Sequence, residues 1–167
     1  MPIDSLNQLL ALEKIHQLKY AYVRCLDQKR WADMAELFTE DATAAYSAGK
    51  YSYTGRDAII EFLSTNMSRD GFHSSHRMHH PEVEFVSETE ATGVWAMEDH
   101  NVDTDFDFVL MGAGFYEDRY VQVAGKWLIA HTGYRRTFET IGPLSKGGIA
   151  VTASWWSTDG QSTLEVQ

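Results

Sequence analysis

The sequence predicts an α+β domain, with N-terminal helices laid across a strongly curved antiparallel sheet so that the two enclose a pocket. Three observations carry this. Apolar residues in the first third recur at the three/four spacing of a helix face. From Glu82 onward the pattern changes to period-two alternation broken by short turns. Helices and strands are segregated along the chain rather than interleaved, which is the order of an α+β fold. The chain has 167 residues, 44% hydrophobic and 23% charged, as expected of one globular domain.

The elements follow in order. Asp4 or Ser5 can cap a first helix, and Leu6, Leu9, Leu10, Ile15, Leu18, Tyr22, Cys25 and Leu26 form its apolar face to about Leu26. Trp31 to Phe38 repeats the pattern as a short helix. Ala42 to Tyr46 and Tyr51 to Tyr53 straddle Ala48-Gly49-Lys50 as a hairpin. A third helix opens at Thr54 or Gly55 and turns Ile59, Ile60, Phe62 and Leu63 inward. Strands follow over Glu82 to Val86, Thr92 to His100, Gly114 to Val123 and Trp127 to Phe138. Ala124-Gly125-Lys126 makes a tight turn, and the acidic stretch Val102 to Phe108 is a loop or a long hairpin. Residues 1–138 read as one domain. Residues 139–167 lack periodicity and read as a C-terminal extension: a lid, an interface strand or a tail, with Trp155 and Trp156 the residues to watch.

Charge and cysteine usage remove several function classes. Fourteen Lys and Arg against 24 Asp and Glu give a net charge of −10, with no basic stripe, which argues against nucleic acid and anionic membranes as partners. The longest apolar run, Phe108 to Phe115, is far short of the ~18 residues a membrane span needs. Met1 to Ser5 begins no secretory signal, so a cytoplasmic protein is expected. The single cysteine, Cys25, reads as a small buried hydrophobe. Five Trp, eight Tyr and eight Phe are many, and point to pocket walls or a subunit interface.

Four histidines, His73, His76, His79 and His80, fall within eight residues. A metal site needs convergent ligands, and strand alternation sends His79 and His80 to opposite faces. No metal is expected. His79 shares parity with the apolar Val83 and Phe85, whereas Glu82 and Glu84 take the other face, so His79 is expected to point inward and to need a partner. Asp27 is the candidate partner; a solvated helix-end carboxylate is the plainer alternative. On an ideal helix Tyr22 and Asp27 stand about 140° apart, and they share a pocket only if the helix ends or bends near Leu26. In the later strands Trp95, Met97 and Asp99 share one face, as do Tyr116, Asp118 and Tyr120. In the last strand Trp127, Ile129 and His131 share one side, with Tyr134 and Arg136 on the other.

These residues carry a resemblance. Tyr22 to Asp27, Trp31, Phe38-Thr39-Glu40-Asp41-Ala42, Gly55-Arg56-Asp57-Ala58-Ile59, His79-His80-Pro81-Glu82-Val83, Gly114 to Asp118 and Gly125 to Ile129 together resemble the SnoaL-like group of the nuclear transport factor 2-like superfamily. Within it, Arg24-Cys25-Leu26-Asp27, Tyr46 to Lys50 and Thr132-Gly133-Tyr134-Arg135-Arg136 look like the bile-acid dehydratases. Scytalone dehydratase and hexachlorocyclohexane dehydrochlorinase are more distant. The resemblance implies a cone-shaped barrel, a cofactor-free elimination pocket and a homo-oligomer, a trimer before a dimer. It implies Tyr22, Asp27, His79 and Arg136 as catalytic, with Asp99 less secure, and Tyr46 as a pocket residue. Trp95, Tyr116 and Tyr120 complete the expected walls around an apolar small-molecule substrate.

The expected chemistry is loss of water from an apolar, polycyclic or steroid-like hydroxy-carbonyl compound. His79 acts as acid/base, Asp27 orients it, and Tyr22 or Tyr46 donates to developing oxygen charge. The alternatives are an isomerase, cyclase or hydroxylase with the same base, and a non-catalytic binding module. The binding module predicts that Asp27 and His79 lie beyond hydrogen-bond distance of one another, or outside any pocket.

Overall fold

The computed structural model describes residues 5–165. Helix α1 spans Leu6–Asp27. Ser5 caps it by accepting the Gln8 amide at 3.2 Å. Its buried face is Ile15, Leu18, Lys19, Tyr22, Cys25 and Leu26. Leu6, Leu9 and Leu10 continue that spacing but are more than half exposed. Helix α2 is only Trp31–Ala35, as the expected helical stretch already ends before Phe38, which opens strand β1 (Phe38–Tyr46). Strand β2 (Tyr51–Thr54) returns antiparallel to β1, and α3 spans Arg56–Met67 with Ile59 and Leu63 buried.

Four long strands complete the fold: β3 (Phe72–Phe85), β4 (Glu90–Asp103), β5 (Phe108–Val123) and β6 (Lys126–Gly142). The acidic stretch is therefore a long hairpin, with β4 reaching Asp103 and β5 starting at Phe108. β6 also runs four residues beyond Phe138, into the segment expected to be an extension. Ala124 and Gly125 both have positive φ, the geometry of a tight two-residue hairpin turn, which Gly supplies without strain. The sheet order is β2-β1-β6-β5-β4-β3. All neighbours are antiparallel except β1 and β6, which pair in parallel, a departure from the expected all-antiparallel sheet. The chain between them is long enough for that crossover.

Bulges control which residues face the helices. Between β3 and β4 the register passes from His79↔Ala96 to Glu82↔Val94, so three steps on β3 answer two on β4. His80 has φ +46 there, and Pro81, which has no amide to donate, occupies the irregular position. Between β5 and β6 the register shifts at Arg119/Tyr120 and again at Ala113/Gly114. The first of these places Ile129 and Thr132 on the same inner face, both fully buried, and turns His131 outward to Thr43 at 2.7 Å. The inner face of the sheet thus carries Trp95, Met97, Asp99, Tyr116, Asp118, Tyr120, Thr132 and Tyr134. Helix α1 covers it, with Trp95 set edge-on to the rings of His16 and Tyr20. Among the described residues no helix is long and apolar enough to cross a membrane.

Candidate active site

Asp27 is the last residue of α1. The chain turns away at Gln28, and Lys29 takes positive φ. This termination frees the Asp27 side chain from the helix face, so it reaches β3 while Tyr22 points into the core. There it meets His76, not His79. His76 Nδ1 lies 2.7 Å from Asp27 Oδ1, the His76 amide donates to Oδ2 at 2.9 Å, and Ser74 Oγ donates to Oδ1 at 2.8 Å. A carboxylate can only accept, so the short ring contact puts a proton on Nδ1. The neutral imidazole then carries its lone pair on Nε2. The His76 side chain is 9% exposed and that of Asp27 is 23% exposed.

His79 lies elsewhere. Its side chain is 40% exposed, with its ring tilted against that of His80 and 3.8 Å from Glu98 on the outer face. The parity count that aimed it inward ran back from Val83 across the bulge, and an extra residue on one strand reverses the assignment. Upstream of the bulge the inward residues are Ser74, His76 and Met78, cross-strand from Asn101, Asp99 and Met97. The distance criterion set for a binding module is met for His79, while His76 takes the place expected of it. Among the described residues no three His, Cys, Asp or Glu side chains gather to hold a metal ion.

Asp99 faces inward beside His76, and His100 faces solvent. Arg136 grips Asp99 with two bonds, Nη1 to Oδ1 at 2.6 Å and Nη2 to Oδ2 at 2.8 Å, and Asn101 donates at 2.8 Å. The remaining nitrogen, Nε, lies 2.6 Å from Glu139. Burial pushes the Asp99 carboxyl up, but the hydrogen bonds and charge of Arg136 outweigh it and hold the group below the ordinary carboxylate range. The Asp99 hydrogen bonds in turn raise the Arg136 guanidinium further.

Tyr22 and Tyr46 bring their hydroxyls within 3.3 Å. The Tyr116 ring stands edge-on to Tyr22 and to Tyr134, at 6.0 and 5.3 Å between centroids. Burial pushes the phenols of Tyr22, Tyr46 and Tyr116 well up, so they remain protonated and able to donate. Beneath them lies a buried ion pair that inspection of the sequence missed. Lys19 Nζ is 2.7 Å from Asp118 Oδ2, with both side chains fully buried, and stands 3.6 Å above the Tyr116 ring. Thr132 and Tyr120 each donate to Asp118 at 2.7 Å, and Trp95 donates to Tyr120 at 2.9 Å. Trp95 and Tyr120, expected as pocket wall, are thus fully buried with their polar atoms satisfied by core partners. A lone lysine between Leu18 and Tyr22 on an apolar helix face was the available signal for Lys19, and the Ser74-x-His76 alternation was the signal for the carboxylate's donors.

A cavity of about 440 Å³ opens beside Asp27, lined also by Ser74, His73 and Val102, and by Val151, Trp155 and Trp156 of the C-terminal segment. Trp156 further packs against the Lys29 ammonium at 4.4 Å. The segment therefore forms one wall of the cavity on the Asp27 side of the pair. A larger hollow of about 550 Å³ lies at the other end of α1, against Phe85 and Trp127. It has no histidine and no buried carboxylate in its lining, so it offers no comparable acid/base chemistry.

Known proteins share this architecture. A candidate scytalone dehydratase from Novosphingobium aromaticivorans is 28% identical, with a TM-score of 0.74 over 80% of this chain and 89% of that one. A hexachlorocyclohexane dehydrochlorinase from Novosphingobium barchaimii is 17% identical, with a TM-score of 0.75 over 83% and 94% of the two chains. The ActVI-ORFA protein of Streptomyces coelicolor is 18% identical, with a TM-score of 0.65 over 76% and 97%. The last two likenesses are of fold. The SnoaL-like domain family matches residues 7–133, which is most of the chain. With that match, and with its helices laid over a six-stranded sheet, the chain belongs to the SnoaL-like domain family of the nuclear transport factor 2-like superfamily.

Proposed function

We propose that this protein is a cofactor-independent dehydratase, a carbon–oxygen lyase acting on an apolar, polycyclic or steroid-like hydroxy-carbonyl compound. The observation that carries the reading is the Asp27–His76 pair. Its carboxylate fixes the Nδ1–H tautomer and leaves Nε2 as a base on the inner face of the sheet. Nε2 removes a proton next to the substrate carbonyl. Asp27 steadies the imidazolium that forms, as the acid does in a catalytic triad. A phenol from Tyr22 or Tyr46 donates to the oxygen that gains charge, and the protonated His76 returns its proton to the departing hydroxyl as water. His76 replaces His79 in the assignment. Arg136 acts through Asp99, since its guanidinium is occupied by Asp99 and Glu139. The apolar surfaces of Val102, Val151, Trp155 and Trp156 beside Asp27 support an apolar substrate.

The test is turnover of scytalone, of a hexachlorocyclohexane and of a hydroxy-oxo steroid of bile-acid type, followed by mass spectrometry for loss of water or hydrogen chloride. His76→Ala and Asp27→Asn are expected to lower turnover by about 10²–10⁴-fold with the fold retained, and His79→Ala to leave it unchanged. Full activity in His76→Ala would overturn the assignment.

A further inference from the structure

We propose that Gly112 is a positioning residue of this acid/base centre: only a residue without a side chain there lets the Arg136 guanidinium cross β5 to Asp99. The inference rests on the reading of His76 as the base.

In the ladder Gly112 lies between Asp99 of β4 and Glu139 of β6. Arg136 pairs with both of those carboxylates, so its guanidinium spans the strand at this position. A Cβ on Gly112 would fall closer to Arg136 Nη1 than any real Cβ contact, and 3.0 Å from both Arg136 Cζ and Asp99 Oδ1. The obstructed atoms are the far end of a flexible side chain, so the backbone can keep its place while the guanidinium moves off. The backbone itself does not require glycine, because Gly112 has no positive φ. What the position requires is the space.

The consequence reaches His76. Asp99 is its cross-strand neighbour on the inner face, and Asp27 already holds its Nδ1. With Arg136 in place, the Asp99 oxygens are taken by the guanidinium and Asn101. With Arg136 displaced, Asp99 is a buried carboxylate free to compete with Asp27 for the imidazole. A base held between two carboxylates loses its orientation, and misplacement of that kind lowers turnover steeply.

The experiment compares Gly112→Ala with Gly142→Ala. Gly142 lies on the neighbouring strand, and a Cβ there meets nothing within 4 Å. Each variant is read by the ¹⁵N-resolved guanidinium signals of Arg136 and by elimination of nitrobenzisoxazole, a probe that needs only a positioned base. Gly112→Ala is expected to fold, to lose the protected Arg136 signals, and to lower kcat about tenfold or more with little change in KM. Gly142→Ala is expected to match the wild type in both. Arg136→Lys lacks the atoms that a Cβ would displace, so adding Gly112→Ala to it should lower kcat less than about twofold further. Retained Arg136 signals in Gly112→Ala, unchanged turnover after their loss, or additive effects in the double variant would each overturn the proposal. If Gly112→Ala does not fold, the double variant with Arg136→Lys must fold, and its failure overturns the proposal too. Should His76→Ala leave the probe reaction untouched, the reading of the base fails, and the Arg136 signals alone decide whether Gly112 positions the guanidinium.

Discussion

At the end of α1 the backbone carbonyls present the negative end of the helix dipole, an unfavourable place for a carboxylate. Asp27 is held there by Ser74 and by the amide and ring of His76. Ser74→Ala removes one of those donors. It is expected to lower stability by about 1 kcal/mol and kcat more than KM, measured by urea unfolding and steady-state kinetics. Asp99 offers a test by pH. Its carboxyl is held below the unfolded value of about 3.9, despite burial, by Arg136. For a depressed carboxyl the stabilisation is complete above the unfolded value and is lost as pH falls through the folded one. The gap in urea midpoint between wild type and Asp99→Asn should therefore be constant near neutrality and close below about pH 4. A gap that persists into strong acid would show that the pair does not hold the carboxyl low.

Among the elements, the bulge in β3 has the largest consequence. It places Ser74, His76 and Met78 inward ahead of it, and Val83 and Phe85 inward beyond it. His80 holds φ +46 within it and is solvent-exposed. A β-branched residue in that conformation is strained by about 1–2 kcal/mol. His80→Val is thus expected to destabilise the protein by that order and His80→Gly to leave it as stable or more so, read by thermal unfolding. Both sides of the strand were legible in the sequence: Glu82 and Glu84 outward, Val83 and Phe85 inward. The slip between them was not, since period-two counting has no term for one extra residue. A comparable slip in β6 places Trp127 and Ile129 on the same side as Tyr134 and Arg136, where simple alternation separates them. The short α2 has another cause: Phe38 keeps helical spacing but is claimed by the parallel pairing of β1 with β6.

For the whole molecule, two features matter: the tie between the helical layer and the sheet, and the C-terminal segment beside the Asp27 cavity. The Lys19–Asp118 pair joins α1 to β5 in the buried core, beside the network of Thr132, Tyr120 and Trp95. Burial pushes the Lys19 ammonium down and Asp118 opposes this. Lys19→Met leaves a buried carboxylate without its counterion and should cost about 3–5 kcal/mol in urea unfolding. Adding Asp118→Asn should recover a large part of that. The second feature is the segment carrying Trp155 and Trp156 in the cavity wall. Replacing both with Ala is expected to raise KM for an apolar substrate with little loss of global stability, since Trp155 is 64% exposed.

The sequence by itself determined the α+β class, the order of helices and strands, the inward face of β5 and the family. Each follows from local periodicity and short motifs, which neighbouring residues set. It also singled out Asp27, Tyr22, Asp99 and Arg136 as residues of interest. Only the tertiary structure decided which histidine meets Asp27, that Asp99 rather than His100 looks inward, that Lys19 lies buried beneath the tyrosines and that Gly112 leaves a path for Arg136. The physical reason is common to all four. Each depends on register between strands, or on how α1 lies on the sheet, and a single bulge or helix end changes these without leaving a periodic trace in the chain.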